Sequence, residues 1–447
     1  MQQKLNNTIG DCVKNRDFAH SGPFFNLTES GSNMEEVPKI TDLHKVIQPH
    51  LPEGTTLETY SSRYLTKPGD NYGSVMLAIQ AQIKDKDSKV RELSLIAKLP
   101  PVTNDIYWQI FQPERTCITE NAVYKYLASE LNQLQLKAGI LPAKLFDAFP
   151  RYYGSRISLN DSATKVDRDA VLVQENVTVN GYRPGNRYKP YDMAHTVLIL
   201  HYLAQYHALP IALRLKNPQK YEEFVRPYFK KFDMNLNISP KEKEVMNTEL
   251  LADIKTAANG NETDVKRVKE LLDKFDEFQA GKDVADGPYT TLVHGDLWIN
   301  NLMVKYDDDG VPIKLKIVDF QIAQYGSLVH DIIFLLFSSV ETKVLEENYY
   351  QLLRVYYNAF IKALRKVDVD VNSYKYETFL DEVQKQAHLQ LPHAIFMMKV
   401  ILADSSTLPT DYKDVDLTVL TKNTGAKDIV VKFGEILRLG KKFNLFY

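Results

Sequence analysis

Cysteine and an excess of charge of either sign are both nearly absent from this sequence. Its 447 residues include two cysteines, Cys12 and Cys117, which lie far apart and form no C-x-x-C pair. We therefore expect neither a disulfide framework nor a zinc knuckle, and we expect a reducing, cytoplasmic environment. Lysine and arginine number 55 against 57 acidic residues, a formal charge of −2. General nucleic-acid binding needs a large basic field, so nucleic acid is not an expected partner.

Long apolar runs are missing as well. The first residues lack the apolar segment of a secretory signal, and the apolar run around residues 331–337 is too short to cross a bilayer. Hydrophobic residues make up 44% and charged residues 25% of the chain, which is ordinary for a soluble globular protein. We therefore expect a soluble protein without a membrane segment, large enough for two or three domains or lobes.

Composition and patterning divide the chain into three regions. Residues 1–35 are polar and rich in Asn, Ser and Gly, which predicts a poorly ordered arm. Residues 36–175 contain several short β-like runs, and we interpret them as a β-rich N-terminal lobe. Residues 176–447 are mostly helical in pattern and begin with a polar, glycine-bearing stretch, where we place the lobe boundary.

The β-rich region shows alternating apolar runs at residues 74–83 and 93–99, joined by a charged turn. This pattern predicts an antiparallel hairpin that ends at the prolines following residue 99, because proline cannot donate to a sheet ladder. Residues 119–134 have apolar positions at four-residue spacing and predict a helix, and residues 171–175 predict another strand.

The later region carries helical periodicity. Residues 193–207 form a broad apolar stripe that predicts a buried helix. Further helices are predicted at residues 241–278, as a solvated pair, and at 349–367 and 380–402. A β-rich lobe followed by a mostly helical lobe indicates an α+β protein.

The most informative segment lies between residues 290 and 321. His294 and Asp296 are two residues apart, and Asn301 follows five residues after Asp296. Two alternating runs flank the turn at residues 307–310, and the second run ends at Asp319. Such a hairpin returns Asp319 to the neighbourhood of Asn301. H-x-D alone arises readily by chance, but the full set with this spacing is a poor candidate for coincidence.

Phosphoryl transfer requires this combination of side chains. Mg²⁺ prefers oxygen ligands, usually one or two carboxylates together with phosphates and water. A second carboxylate must stay free of the metal so that it can orient an attacking hydroxyl and accept its proton. Asp296, Asn301 and Asp319 together meet both requirements.

The N-terminal lobe supplies an independent indication. Lys98 ends an apolar strand, where a lysine is costly unless an anion is near, and Glu120 follows on the next helix. Lys98 could instead be an edge lysine that extends to water. A short glycine loop, residues 69–74, precedes the hairpin and would by itself be an ordinary turn. Glycine loop, lysine, glutamate, H-x-D-x₄-N and D-F follow one another in the order found in kinase-type phosphotransferases.

The chain at this point resembles a known family. His294-Gly-Asp-Leu-Trp-Ile-Asn-Asn301 followed by Val318-Asp-Phe-Gln321 is similar to the ecdysteroid kinase-like proteins of arthropods, which belong to the choline-kinase and aminoglycoside-phosphotransferase-like small-molecule kinases. Trp298 and Gln321 distinguish it from protein kinases. The resemblance spans roughly residues 37–405, and the other segments that carry it are residues 69–74, 96–98, 120–124, 203–208 and 325–331.

The resemblance implies a bilobal protein-kinase-like fold with ATP between a β-rich N-lobe and a helical C-lobe. It implies that Asp296 is the catalytic aspartate, and that Asn301 and Asp319 bind Mg²⁺. Nucleotide contacts would come from the glycine loop, the lysine with its glutamate, and the backbone at the hinge between the lobes; these residues are Gly69, Asn71, Gly73, Ser74, Lys98, Glu120, Glu175 and Val177. His294 and Asp331 would support the catalytic loop. We expect a monomer.

Other interpretations remain open. A metal hydrolase would use His195, His201 and His207, but their six-residue spacing spreads them around a helix. A serine hydrolase is disfavoured because G-x-S-x-G is absent. A catalytically inactive, ligand-binding kinase relative is disfavoured because no expected catalytic residue is missing. The acceptor implied by the resemblance is an ecdysteroid or another steroid-like or xenobiotic secondary alcohol; a choline or ethanolamine kinase is the alternative. Asn176 stands where the family often has an acid, which puts a role for that acid in doubt.

Overall fold

The hairpin predicted at residues 74–99 is the centre of a five-stranded antiparallel sheet. A computed structural model describes residues 39–65, 74–101, 108–109, 111–232, 239–280, 286–402 and 426–446, without the side chains of residues 276–280. The predicted N-terminal arm and Gly69, Asn71 and Gly73 of the glycine loop lie outside these residues. The strands follow the order β1-β2-β3-β5-β4 and comprise β1 (Thr56–Tyr64), β2 (Val75–Lys84), β3 (Val90–Leu99), β4 (Tyr152–Arg156) and β5 (Val171–Glu175).

The register of β2 and β3 determines which face of the sheet carries Lys98. Leu77 pairs with Ala97, and both side chains are fully buried. Met76 pairs with Lys98, one position further, so the alternation of the pleat directs Lys98 to the opposite face. The strand ends at Leu99, directly before Pro100 as predicted, because proline has no N–H for the ladder.

The described helices lie mostly after residue 190. They are α1 (Leu43–Ile47), α2 (Pro113–Ala122), α3 (Ala128–Lys137), α4 (Met193–Lys216), α5 (Pro218–Phe224), α6 (Pro240–Ala257), α7 (Glu262–Ala280), α8 (Val329–Ser339), α9 (Thr342–Lys366), α10 (Tyr376–Ile401) and α11 (Lys427–Lys442). Short 3₁₀ turns occur at Gln48–His50, Pro142–Lys144, Val177–Asn180, Arg226–Tyr228 and Ile299–Asn301. The β-rich part followed by a mostly helical part confirms the predicted α+β class. The boundary after residue 175 stays a prediction, because Ile40–Tyr447 form one compact unit.

The helix predicted at residues 119–134 begins earlier than expected. It starts at Pro113, passes through a π-helical turn at Val123–Leu127 and ends at Lys137. Its first turns bury Thr116, Thr119 and Glu120 rather than a stripe of apolar side chains. Apolar periodicity therefore could not reveal this start, although proline at a first helical position is favourable.

Helix α4 runs through the centre of the helical part. It continues beyond the predicted stripe to Lys216, through Pro210, and packs against α9. Among the described segments it is the one helix long and apolar enough to cross a bilayer, and 72% of its most apolar stretch is buried against other elements. A mostly buried apolar helix is typical of the core of a globular protein, and α4 belongs to the main hydrophobic core.

Two small sheets complete the region that carries the predicted site. One has the order β6-β8-β9, with β6 (Tyr182–Pro184), β8 (Leu302–Tyr306) and β9 (Pro312–Ile317). The other pairs β7 (Thr290–Val293) with β10 (Gln324–Ser327). The β8–β9 hairpin is the one predicted from the alternation at residues 302–318. The loop between β7 and β8 contains His294, Asp296 and Asn301.

Candidate active site

The loop between β7 and β8, residues 294–301, requires a glycine at its second position. Gly295 has a φ of +84°, and a Cβ atom there would lie 2.7 Å from the carbonyl oxygen of Ile322. Any larger residue would be both strained in its backbone and in collision with that carbonyl. The loop and the segment that follows Asp319 can therefore approach closely only because residue 295 is glycine.

Asp331, at the start of α8, anchors this loop from below. Its carboxylate is fully buried and accepts from the backbone N–H groups of His294 (2.6 Å) and Gly295 (3.0 Å). The Nε2 atom of His207 on α4 lies 3.0 Å from the same carboxylate. Burial by itself would raise the pKa of Asp331, but the His207 hydrogen bond and the surrounding imidazoles lower it to about 2. A charged Asp331 thus joins α4, α8 and the loop.

His294 is a neutral, fully buried link within the same loop. Its Nδ1 atom accepts from the N–H of Asp296 (3.2 Å), so its Nε2 atom carries the proton and donates to the carbonyl of Val318 (2.9 Å). Burial lowers the pKa of His294, which favours this neutral tautomer. His294 consequently connects Asp296 to the residue that precedes Asp319.

The carboxylate of Asp296 has two different oxygens. Oδ2 accepts from the indole N–H of Trp298 (3.2 Å) and from the amide of Asn301 (3.1 Å). Oδ1 is buried and has no hydrogen-bond partner among the described residues. Burial and the charge of Asp319 raise the pKa of Asp296 to about 7, against the opposing effect of the two donors. One oxygen is therefore held in place, and the other is available to a hydroxyl group.

Asp319 lies beside the N-terminal sheet, where it meets Lys98. The Nζ atom of Lys98 is 2.7 Å from Asp319 and 2.7 Å from Glu120 on α2, and the side chain of Lys98 is only 9% exposed. Burial opposes the charged form, yet the two carboxylates raise the pKa of Lys98 above its ordinary value. The alternative of a lysine extending to water is therefore wrong. Asp319 has a φ of +64°, an uncommon backbone conformation of the kind found at functional sites.

Asn301 and Asp319 provide the oxygen donors that Mg²⁺ prefers. The N–H of Val318 donates to the carbonyl of Asn301 (3.0 Å), which brings the two ends of the β8–β9 hairpin together as predicted. Within the described segments, the hydrogen bonds use Asn301 through its amide N–H and Asp319 through Oδ1. In these segments each residue therefore has one side-chain oxygen that makes no hydrogen bond. Such a pair of oxygens fits a cation that takes its other ligands from phosphate and water.

The three histidines considered for a metal hydrolase lie in separate environments. His195 bonds to Asp192 and Tyr306, His201 is exposed, and His207 bonds to Asp331 and Tyr356. In the part of the chain that the structure describes, no group of three or more His, Cys, Asp or Glu side chains could hold a metal. This arrangement contradicts the metal-hydrolase alternative for those residues.

The hinge residues occupy the end of β5 and the 3₁₀ turn that follows it. The N–H of Glu175 donates to the carbonyl of Arg151 (2.8 Å), and the side chain of Glu175 accepts from Asn180 and Arg151. Val177 opens the 3₁₀ turn, so the geometry of the turn gives its N–H no intrahelical acceptor. Ser74 is the described residue of the glycine loop, and it lines a small pocket together with Lys98 and Glu120.

Asn176 caps the 3₁₀ turn. Its Oδ1 atom accepts from the N–H and the hydroxyl of Thr178, and its amide donates to Ser94. The side chain is 8% exposed, and both its oxygen and its nitrogen make hydrogen bonds. The difference at this position from the family pattern therefore has a local structural explanation.

Sequence patterns gave no role to Trp298, Arg115 or His207 in the site. Trp298 was a family marker, and its indole N–H proves to hold Asp296. Arg115 donates to the backbone carbonyls of Gln321 and Ala323, which fixes α2 to the segment after Asp319. His207 is a polar residue on an otherwise apolar stripe, and that position was the one available signal of a buried hydrogen-bonded role.

Several solved structures are similar to this chain at low sequence identity. One is a spectinomycin phosphotransferase in complex with ADP and spectinomycin, at 12% identity and a TM-score of 0.39, covering 87% of this chain and 94% of that chain. An ethanolamine kinase from Plasmodium vivax has 8% identity and a TM-score of 0.35, covering 87% and 83% of the two chains. An amicoumacin kinase has 14% identity and a TM-score of 0.36, covering 87% and 89%. These scores are too low to support any statement about the site or its substrate.

A family model gives the decisive comparison. None of the curated proteins matches this sequence. The model of the ecdysteroid kinase-like family matches residues 68–369, about two thirds of the chain. The matched range contains Lys98, Glu120 and the whole segment from His294 to Asp331. The chain therefore belongs to the ecdysteroid kinase-like family, and it is a phosphotransferase that acts on hydroxyl groups of small molecules.

Proposed function

We propose that this protein transfers the γ-phosphate of ATP to an alcohol hydroxyl, with Asp296 as the general base. The observation that carries the proposal is the asymmetry of the Asp296 carboxylate. Trp298 and Asn301 hold Oδ2, and Oδ1 is buried without a partner in the described part of the chain. A general base needs this combination of fixed orientation and one free oxygen.

The proposed reaction needs no reactant other than ATP and the alcohol. The hydroxyl proton passes to Oδ1 of Asp296, and the hydroxyl oxygen attacks the γ-phosphorus of ATP. The bond from that phosphorus to the β–γ bridging oxygen breaks, and ADP leaves. Asp296 then releases its proton to solvent. A pKa raised to about 7 suits a group that must accept and release a proton near neutral pH.

The nucleotide contacts are assigned by position. Lys98, oriented by Glu120, would meet the phosphates, and its place between two carboxylates supports a charged side chain on the inner face of the sheet. The glycine loop with Ser74 would cover the phosphates. The carbonyl of Glu175 and the N–H of Val177 would meet adenine, since the N–H of Glu175 is already used by Arg151. Asn301 and Asp319 would hold Mg²⁺, which neutralises phosphate charge when it is bound.

The acceptor that we propose is an ecdysteroid or another steroid-like or xenobiotic secondary alcohol. Membership of the ecdysteroid kinase-like family supports this class. A choline or ethanolamine acceptor is the second candidate within the same reaction. Asn176 does not distinguish between the two, because its side chain is used in capping its own turn. We further propose a monomeric, cytoplasmic enzyme with a role in hormone inactivation or detoxification and without a membrane or nucleic-acid partner.

Release of ADP in the presence of candidate acceptors tests this function. Purified protein with Mg²⁺ and ATP should release ADP when given an ecdysteroid or a hydroxylated xenobiotic, and much less when given choline. Asp296→Asn should slow this release roughly 10²- to 10⁴-fold, the span expected for loss of a general base. Asp308→Asn is the matched control, because Asp308 is exposed in the β8–β9 turn. Efficient use of choline alone would overturn the acceptor class, and equal activity of the Asp296 variant would overturn the mechanism.

Formation of the phosphate ester separates the proposed enzyme from an inactive relative that only binds ligands. Such a protein would bind ATP and the acceptor without forming a phosphate ester. Mass spectrometry of the acceptor after incubation distinguishes the two cases, because phosphorylation adds one phosphate group to the alcohol. Unchanged acceptor with measurable binding of both molecules would favour the inactive alternative.

A further inference from the structure

A second cavity, of about 570 Å³, lies between α2 and the turn at residues 226–230. Its volume falls within the roughly 300–1,000 Å³ typical of small-molecule sites. It shares no lining residue with the pocket that contains Ser74, Lys98 and Glu120. Its lining residues include Trp108, Arg115, Ile118, Thr119, Tyr228 and Lys230.

The walls of this cavity are tied together by hydrogen bonds. The hydroxyl of Thr119 on α2 donates to the carbonyl of Tyr228 (2.8 Å), and the guanidinium of Arg115 donates to the carbonyl of Lys230. The ring of Tyr228 stacks on Tyr126 at a centroid distance of 5.2 Å. These bonds keep the helix and the turn at a fixed separation, so the cavity is a built feature of the fold.

The cavity carries an excess of positive charge. Arg115 donates to the carbonyls of Gln321, Ala323 and Lys230, and no carboxylate offsets its charge in the part of the chain that is described. Lys230 adds an exposed cation, and Glu114, also exposed, is the one carboxylate among the described lining residues. Two cations against one carboxylate leave a net positive wall. A largely buried cation without a counter-ion makes an anion favourable nearby.

The remaining wall combines apolar and aromatic side chains with the polar Gln109, Gln112 and Thr119. Trp108, Ile118 and Tyr228 supply flat or branched surfaces on which a planar molecule can pack. We propose that this cavity is a second ligand site, separate from the nucleotide cleft, for a flat and mostly apolar molecule with one anionic group. The proposal is independent of the acceptor class and of the role of Asp296.

The two tryptophans of the chain provide a direct test. Trp108 lines the cavity, and Trp298 lies in the catalytic loop. In the Trp298→Phe variant, Trp108 is the sole tryptophan and can transfer energy to anilinonaphthalene sulfonate, a flat apolar anion. Transfer should saturate at one dye per chain and should persist with saturating Mg²⁺ and a non-hydrolysable ATP analogue. Displacement of the dye by that analogue, or absence of transfer, would overturn the proposal.

Variants of the wall test both the place and the charge. Lys230→Glu reverses the net charge of the wall and should weaken binding of the anionic dye at least about tenfold. Lys241→Glu is the matched control, because Lys241 is exposed at the start of α6, outside the cavity. Ile118→Phe places a larger side chain in the wall and should also weaken binding of the anionic dye.

A neutral analogue completes the test. Phenylnaphthylamine, which has the same rings without the sulfonate, should bind wild-type protein at least about tenfold more weakly than the anionic dye, and Lys230→Glu should not weaken it further. Equal binding of the two dyes would overturn the preference for an anion. Equal binding of the anionic dye to wild type, Lys230→Glu and Ile118→Phe would show that it lies elsewhere.

Discussion

Replacing Trp298 with phenylalanine would test how the carboxylate of Asp296, the proposed general base, is held. The change keeps a flat ring in the loop but removes the indole N–H that donates to Oδ2 of Asp296 at 3.2 Å. Asn301 would then be the remaining side-chain donor to that oxygen in the described part of the chain. The hydrogen bond stabilises the ionised form of Asp296, so its loss must raise the pKa of that group.

The size of the effect follows from the length of the bond. A hydrogen bond to a charged group contributes about 1.5–3 kcal/mol, and a bond longer than the usual 2.7–2.9 Å belongs at the low end of that range. About 1.4 kcal/mol corresponds to one pKa unit, so the pKa of Asp296 would rise from about 7 to roughly 8. At pH 7 the ionised fraction would fall about fivefold, and at pH 9 it would nearly recover.

The assay is the pH dependence of kcat/KM for the acceptor at saturating ATP. We expect the acidic limb of the profile to move up by about one pH unit in Trp298→Phe, with KM for ATP changed less than about twofold. The size of this shift does not depend on the pKa that Asp296 has in the nucleotide complex. Tyr191→Phe is the matched control, because the Tyr191 hydroxyl donates to the carbonyl of Ile299 in the same loop and not to Asp296. An unmoved limb, or an equal shift in the control, would refute the reasoning.

Three further predictions concern the nucleotide and the core. Asp319→Asn should weaken Mg·ATP binding at least about tenfold in calorimetry, with Asp296→Asn nearly unchanged, because one variant loses a metal-ligand charge and the other does not; equal losses would mean that the roles are assigned wrongly. Lys98→Met should raise KM for ATP and lower kcat, and wild-type kinetics would contradict the assigned phosphate contact. Burial, with His330 nearby, lowers the pKa of His393 to about 3. Below about pH 6.5, His393 is protonated in the unfolded chain but stays neutral in the folded chain. The free energy of unfolding therefore falls as the pH drops. His393→Phe should remove up to about 2 kcal/mol of the loss between pH 7 and pH 5 in denaturant unfolding, and an identical loss in both proteins would contradict it.

The parts of the site that sequence could predict are those formed by residues close together in the chain. The β8–β9 hairpin returns Asp319 to Asn301 through a short turn, and alternation alone was enough to predict it. The pairing of Lys98 with Glu120 was also predicted, because a lysine on an apolar strand requires an anion. Both cases rest on a local pattern with one plausible solution.

The parts that sequence could not predict depend on distant partners or on polar burial. Arg115 bonds to carbonyls of Gln321 and Ala323, more than 200 residues further along the chain. The start of α2 buries threonines and a glutamate, so apolar periodicity misses it. Asn176 looked like a change in the charge of the cleft, whereas its side chain caps a turn. In each case backbone groups supply at least one of the partners, and the identities of residues in a sequence do not show where backbone groups will lie.

The burial of Asp331 has a consequence for the exchange of amide hydrogens with solvent. The N–H groups of His294 and Gly295 both point at a carboxylate that is 0% exposed and is held between two core helices. Solvent can reach these two amides only when this buried carboxylate becomes exposed, which requires opening of the main core to which α4 and α8 both contribute. Although they lie in a loop, these amides should exchange as slowly as those in the middle of α4. The start of the loop between β7 and β8 should therefore be as rigid as the core helices that it contacts.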